Sequence, residues 1–108
     1  MAKTLQTWAG RSSFVYDGSV SQGTEIRYGK DHRWRLNISR EQYEALLKYF
    51  KNRTVNIGTS RTDPPLGSVG EWLQNNVTLT ATASYIGPIL IHEGYAERVS
   101  TPSKIRFV

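Results

Sequence analysis

One segment of the chain, residues 39–50, constrains the fold most strongly because two separate signals predict a helix there. Ser39-x-x-Gln42 is a capping box, in which the serine hydroxyl and the glutamine side chain satisfy backbone amides at a helix start. The apolar residues that follow recur at the spacing of one helical face. This stripe consists of Tyr43, Leu46, Leu47 and Phe50. The sequence therefore predicts an amphipathic helix with this stripe in the core.

Two further helices are predicted in the second half of the chain. A second capping box, Ser68-x-x-Glu71, opens a short helix that ends at residues 75–76. The third helix is predicted to start near Thr80 and to stop at Gly94, because glycine readily adopts the conformation that follows a helix end.

The third helix is predicted to have two different faces. Its buried stripe is Leu79, Ala83, Ile86 and Leu90. Its exposed face is Ala81, Ser84, Tyr85, Pro88 and His92. The dipeptide Gly87-Pro88 removes one backbone hydrogen bond and predicts a kink near Ser84. No lysine or arginine lies between Thr78 and Gly94.

Alternating apolar residues predict two hairpins before the first helix. The first is expected to turn at Asp17-Gly18, a dipeptide typical of two-residue hairpin loops. The second joins residues 24–28 to 34–38 through an odd-length loop, either 29–31 or 29–33, because an even loop would bury arginines. It places Trp34 in the core, and it places Glu25, Arg27, Arg33 and Arg35 on a solvated sheet face.

The remaining strands are predicted around the second and third helices. Residues 54–60 form a short strand, and the prolines of residues 61–65 mark a turn. The segments "YAERV" and "KIRFV" form a last hairpin, with Ile105 and Phe107 pointing inward. Lys104 and Arg106 then point outward.

From Ser39 onward, this order of helix, strand, helix, helix and hairpin resembles the winged helix-turn-helix superfamily. The residues that carry the resemblance are "SVGEWLQNNV", "TASYIGPILIHEGYAERV" and "KIRFV". The expected fold is therefore α+β, a three-helix winged helix-turn-helix with an N-terminal β-hairpin extension. One domain is expected over residues 1–108, with the extension at 1–38 and the winged-helix core at 39–108.

The resemblance implies a protein that binds double-stranded DNA, such as a small transcriptional regulator or accessory factor. Winged-helix proteins commonly place the third helix in the major groove and the wing over the backbone. The residues implied at the bases are Thr80, Thr82, Ser84, Tyr85 and His92, and those implied at phosphates are Arg98, Lys104 and Arg106. The sequence departs from this pattern because its third helix lacks arginine, the commonest reader of guanine.

The charge distribution favours a polyanionic partner, although a net charge of +5 also serves solubility. Residues 1–61 carry a net charge of +6 and residues 62–108 a net charge of −1. Arg27, Arg33 and Arg35, with Lys30, could form a phosphate-contacting face, and Arg61 could hold an anion. Alternatively, Arg33 and Arg35 belong to a solvated sheet face on which Glu25 pairs with Arg35.

A different class of function also fits the third helix. Its neutral, partly apolar exposed face, with Tyr85 and Pro88, could bind a partner protein or form a homodimer without direct DNA binding.

The sequence offers little support for catalysis, a cofactor or a metal. Cysteine is absent, which excludes disulfides, thiolate metal ligands and thiol nucleophiles. His92 has no second histidine at metal-binding spacing, and no phosphate loop or nucleophile elbow occurs. No apolar run approaches the roughly 20 residues of a membrane-spanning helix. We therefore expect a non-enzymatic, cytoplasmic protein that does not associate with membranes.

Overall fold

The computed structural model describes residues 2–78 and 80–108, which form two antiparallel sheets and three α-helices. The N-terminal sheet contains β1 (Lys3–Gln6), β2 (Ser13–Ser19), β3 (Gly23–Tyr28) and β4 (Trp34–Ile38), in that order. The C-terminal sheet contains β5 (Thr54–Asn56), β6 (Ala96–Arg98) and β7 (Lys104–Phe107), in the order β5-β7-β6. The helices are α1 (Arg40–Phe50), α2 (Val69–Asn76) and α3 (Ala83–His92). The predicted α+β class is confirmed.

The capping signals predict both of the first two helices correctly. At α1, the Ser39 hydroxyl accepts from the Gln42 amide at 3.1 Å, and the Gln42 side chain accepts from the Ser39 amide at 2.8 Å. At α2, the Ser68 hydroxyl accepts from the Glu71 amide, but the Glu71 carboxylate accepts from the amide of Gly67 instead of Ser68. The predicted α1 stripe lies in the core, where Tyr43, Leu46 and Phe50 are buried and Leu47 is half-buried. None of the helices in the described ranges is long and apolar enough to cross a membrane.

The turn predicted at Asp17-Gly18 is wrong, because both residues lie inside β2. Asp17 pairs with Glu25 and Gly18 with Thr24. Gly18 has a positive φ of 89°, which glycine tolerates and which lets the strand continue. The chain reverses after Ser19, around the buried side chain of Val20.

The second hairpin has the predicted odd loop, residues 29–33, but two of its side chains differ from prediction. Arg35 lies opposite Arg27, so the expected Glu25–Arg35 pair is wrong, and Arg27 instead pairs with Asp17 at 2.8 Å. Trp34 is 60% exposed instead of buried. Its ring lies beside Gly29, at the loop end of the hairpin and away from the core.

The most consequential difference concerns α3, which is buried on nearly all sides. It starts at Ala83, later than predicted, and Gly94 follows its end in the predicted position with a φ of 88°. The buried residues are Ala83, Ile86, Gly87, Pro88, Ile89 and Leu90. They include three residues of the predicted stripe, whereas its fourth, Leu79, lies outside the described residues. The exposed position predicted for Pro88 is therefore wrong. The N-terminal segment, residues 7–12 between β1 and β2, packs against this part of the helix through Trp8.

Trp8 is the residue that fixes the N-terminal segment on α3. Its backbone N–H donates to the Ser84 carbonyl at 2.9 Å, the oxygen that would accept from residue 88 if that residue were not proline. Gly87 makes room for the indole, because a Cβ there would lie 2.8 Å from the Trp8 ring. The indole Nε1 donates to the carbonyl of Pro102, which joins the same residue to the β6–β7 loop.

A second connection joins the N-terminal sheet to the other end of α3. The Glu93 carboxylate accepts from the Tyr16 hydroxyl at 2.7 Å and from the Val20 amide at 2.9 Å. Burial, together with the hydrogen bond to Glu93, raises the pKa of the Tyr16 phenol well above its usual value of about 10. The N-terminal sheet is therefore held against both ends of α3.

We expect Trp8→Ala to lower the free energy of unfolding by about 3–5 kcal/mol, because it leaves a cavity against Gly87 and removes the indole hydrogen bond. Trp34→Ala is the matched control and should cost less than about 1 kcal/mol, because that ring is mainly exposed. Urea unfolding of both variants measures the difference. Equal losses would contradict the role assigned to Trp8.

Stability should also fall as the pH rises above about 10. Tyrosine ionises at about that pH in the unfolded chain, whereas the raised pKa of Tyr16 keeps its phenol protonated in the folded protein. The unfolded state therefore gains relative stability in alkali. Urea unfolding at pH 8 and at about pH 11 should show a smaller alkaline loss for Tyr16→Phe than for the wild type. An identical loss in both proteins would refute this assignment.

Candidate nucleic-acid interface

The outer face of the C-terminal sheet carries the predicted wing cations. Along β7, Lys104 and Arg106 are exposed and alternate with the buried Ile105 and Phe107, as the sequence predicts. Strand pairing sets Arg106 opposite Thr54 and Lys104 opposite Asn56. The two cations therefore project from one face of the sheet.

Three more cations lie on segments that contact the end of β7 at Phe107, and the sequence reasoning did not single them out. Lys48 and Lys51 line a groove of about 360 Å³ with Phe107. The Arg53 carbonyl accepts from the Phe107 amide at 2.9 Å. These contacts depend on the pairing of β5 with β7, which brings together segments about 50 residues apart in the chain. The basic surface, as we define it, consists of Lys48, Lys51, Arg53, Lys104 and Arg106.

This basic surface is poorly neutralised by neighbouring carboxylates. Within the described ranges, the ion pairs that involve it are limited to Arg106 with Glu97, at 2.7 Å. Both side chains of that pair are about half exposed, so the pair contributes at most about 1 kcal/mol and can open for another anion. Arg53 donates to the Tyr49 carbonyl, and its guanidinium lies 5.3 Å from the centre of the Tyr49 ring.

Arg98, predicted to contact phosphate, is exposed and also contacts Trp8. Its guanidinium lies over the Trp8 ring at 4.1 Å and donates to the Trp8 carbonyl at 3.0 Å. Its Cα pairs with Ile105 in the sheet, so its side chain starts from the inner face. Arg98 therefore helps to hold the N-terminal segment.

The residues predicted to read bases do not form a common exposed face. Thr82 is only 1% exposed, and its hydroxyl has no hydrogen-bond partner among the described residues. Tyr85 is half-buried, with its ring 5.2 Å from that of Phe14 and 4.8 Å from that of Tyr28. Ser84 is half-buried, whereas His92 is exposed near the far end of the helix. In this conformation, Thr82 cannot reach a base edge.

Three predicted residues do meet in one small cavity. Arg61, Thr80 and Tyr85 line a pocket of about 260 Å³, together with Tyr28 and Ala81. Arg33 and Arg35 are both exposed, but neither lines it. Arg35 instead lies on the outer face of the N-terminal sheet, opposite Arg27.

A larger groove of about 720 Å³ lies beside Trp8. Its walls come from the N-terminal segment, the loop that follows β5 and the β6–β7 loop. Its lining is mixed, with Ile57, Pro65 and Pro102 beside Asp63 and Arg98.

Comparison with protein-family models, with curated proteins and with solved structures finds no match to this chain. Among the residues that the structure describes, no group of three or more histidine, aspartate or glutamate side chains could hold a metal ion.

Thr82→Val provides a direct test of the geometry at the start of α3. The valine removes a buried hydroxyl that has no described partner, so stability should stay unchanged or rise by about 1 kcal/mol. A stability loss above about 1 kcal/mol in urea unfolding would contradict this burial.

Proposed function

We propose that this protein binds duplex DNA through its basic surface, with the wing strand β7 and the end of α1 contacting phosphates. The observation that carries the proposal is a set of five exposed cations on β7 and on the segments beside it, of which one is paired with a described carboxylate. Such a surface releases condensed counterions from DNA and gains affinity without reading sequence.

We also propose that residues 39–108 are a winged helix-turn-helix. The chain order α1-β5-α2-α3-β6-β7 supports this proposal. In the C-terminal sheet, β7 lies between β5 and β6, so the strand that follows the first helix joins the final hairpin. The wing in this proposal is the hairpin of β6 and β7.

The proposed mode of DNA binding differs from the common winged-helix mode at the third helix. The N-terminal part of the chain packs against α3, with Trp8 bonded to Ser84 and with Tyr16 and Val20 bonded to Glu93, and Pro88 of α3 is buried. A helix covered in this way has no free face for the major groove. The protein would therefore bind many DNA sequences with similar affinity, because phosphate contacts carry no sequence information.

The salt dependence of binding tests the proposal. If Arg106 stays paired with Glu97, about four of the five cations remain free to contact phosphates. The logarithm of the DNA-binding constant should then fall linearly with the logarithm of the salt concentration, with a slope of about −3.6. Lys51→Gln with Lys104→Gln should weaken binding to every duplex and flatten the slope by about 1.8.

The matched control removes two charges elsewhere on the molecule. Arg11→Gln with Lys30→Gln changes the net charge equally, at two exposed positions outside the basic surface. This variant should retain a slope within about 0.5 of the wild type. Binding that falls equally in both double variants would show that net charge, and not the basic surface, determines affinity. Wild-type binding independent of salt would exclude the proposal.

A protein-binding role is the second candidate, and one observation favours it. Tyr49 is 52% exposed, and its ring centre lies 6.4 Å from that of the half-buried Trp72. Exposed aromatic side chains are enriched at protein interfaces. Under this alternative, sedimentation should show self-association that Tyr49→Ser weakens, whereas DNA binding should be absent at low salt.

A further inference from the structure

The pocket beside the start of α3 is a separate site from the basic surface. Tyr28 comes from the end of β3, Arg61 from the loop before α2, and Thr80 and Tyr85 from the segment around the start of α3. The pocket holds about 260 Å³, several times the roughly 30 Å³ that one water molecule occupies. It can therefore admit a polyatomic ligand.

The lining of this pocket has the chemistry of an anion site. It supplies one guanidinium, two phenols and one hydroxyl, and it includes no acidic residue. Within the described part of the chain, no carboxylate forms an ion pair with Arg61. A planar guanidinium with several N–H donors suits the oxygen atoms of phosphate or carboxylate.

The loop that carries Arg61 is held in place by hydrogen bonds. The Gln74 side chain on α2 donates to the Arg61 carbonyl at 3.0 Å. The Ser60 hydroxyl accepts from the Thr62 amide at 3.3 Å and from the Asp63 amide at 3.0 Å. The backbone of Arg61 is therefore ordered before any ligand arrives, which lowers the entropic cost of binding.

The aromatic wall of the pocket is also preorganised. Tyr85 packs edge-on against Phe14 and beside Tyr28, so its ring has little freedom to move. Burial raises the pKa of Tyr85, and the positive charge of Arg61 only partly opposes this effect. The phenol is consequently protonated at neutral pH and available to donate a hydrogen bond to an anion.

We propose that this pocket binds the oxyanion of a phosphate group, with Arg61 supplying the charge and Tyr28, Thr80 and Tyr85 supplying hydroxyl donors. The inference deepens the proposed DNA-binding function, because a phosphate at a strand end is one source of this ligand. A free phosphate or small phosphate ester is the other source, and it presents the same chemistry.

Titration of isotope-labelled protein with inorganic phosphate at constant ionic strength tests the pocket itself. The amide signals of Thr80, Ala81 and Tyr85 should shift and saturate. Arg61→Gln should weaken binding by about tenfold or more, since it removes charge-assisted hydrogen bonds. Arg11→Gln should bind phosphate as the wild type does, because Arg11 is exposed and lies outside the pocket. Absence of saturation, or equal binding by Arg61→Gln, would overturn the proposal.

Tyr85→Phe separates a hydrogen-bonding role from a packing role. It preserves the ring that packs on Phe14 but removes the phenol donor. Phosphate affinity should fall by about three- to tenfold while the unfolding midpoint stays close to that of the wild type. Unchanged affinity would remove Tyr85 from the proposed ligand set and contradict the site as described.

Oligonucleotides distinguish the two sources of phosphate. If the pocket takes a strand end, a 5′-phosphorylated oligonucleotide should bind more tightly than its unphosphorylated counterpart, and Arg61→Gln should abolish that difference. If the two oligonucleotides bind equally while inorganic phosphate binds to saturation, the ligand of the pocket is a small phosphate compound and not a strand end. If the pocket binds no phosphate, the double variant Lys51→Gln with Lys104→Gln should still flatten the salt slope of DNA binding. The two experiments therefore test the pocket and the basic surface independently.

Discussion

The hydrogen bond from the Trp8 amide to the Ser84 carbonyl is the contact on which the arrangement of the molecule depends. Pro88 cannot donate to that carbonyl, and a buried carbonyl without a partner would cost about 1–3 kcal/mol. The N-terminal segment supplies the missing donor, while Gly87 lets the indole approach the helix. The pair Gly87-Pro88, which would weaken an isolated helix, thus forms the site where Trp8 binds to α3.

The same attachment explains which parts of the fold the sequence could predict. Local signals were sufficient for α1, where a capping box and an apolar stripe agree, and for the helix end at Gly94. They were insufficient where a distant segment changes the environment. Pro88 has the spacing of an exposed residue, but the N-terminal segment buries it. Asp17-Gly18 has the composition of a turn, but pairing with β3 continues through it.

The candidate interface shows the same division between local and distant information. Alternation along β7 was enough to place Lys104 and Arg106 outward. The contribution of Lys51 and Arg53 could not be predicted, because it depends on the pairing of β5 with β7 across about 50 residues. The contact of the Arg98 guanidinium with Trp8 could not be predicted either, because the two residues are about 90 apart in the chain.

The absence of positive charge from α3 follows from its position. A helix that packs against strands of both sheets and against α2 would have to desolvate any lysine or arginine on its buried sides, at a cost of several kcal/mol. Its neutral sequence therefore suits a central helix better than a surface that approaches DNA. The positive charge lies instead on exposed segments, where it remains hydrated and can exchange water or small counterions for phosphate. On this basis, the third helix of the proposed winged-helix core binds its own N-terminal sheet, and the proposed contact with nucleic acid would fall to the wing and the end of α1.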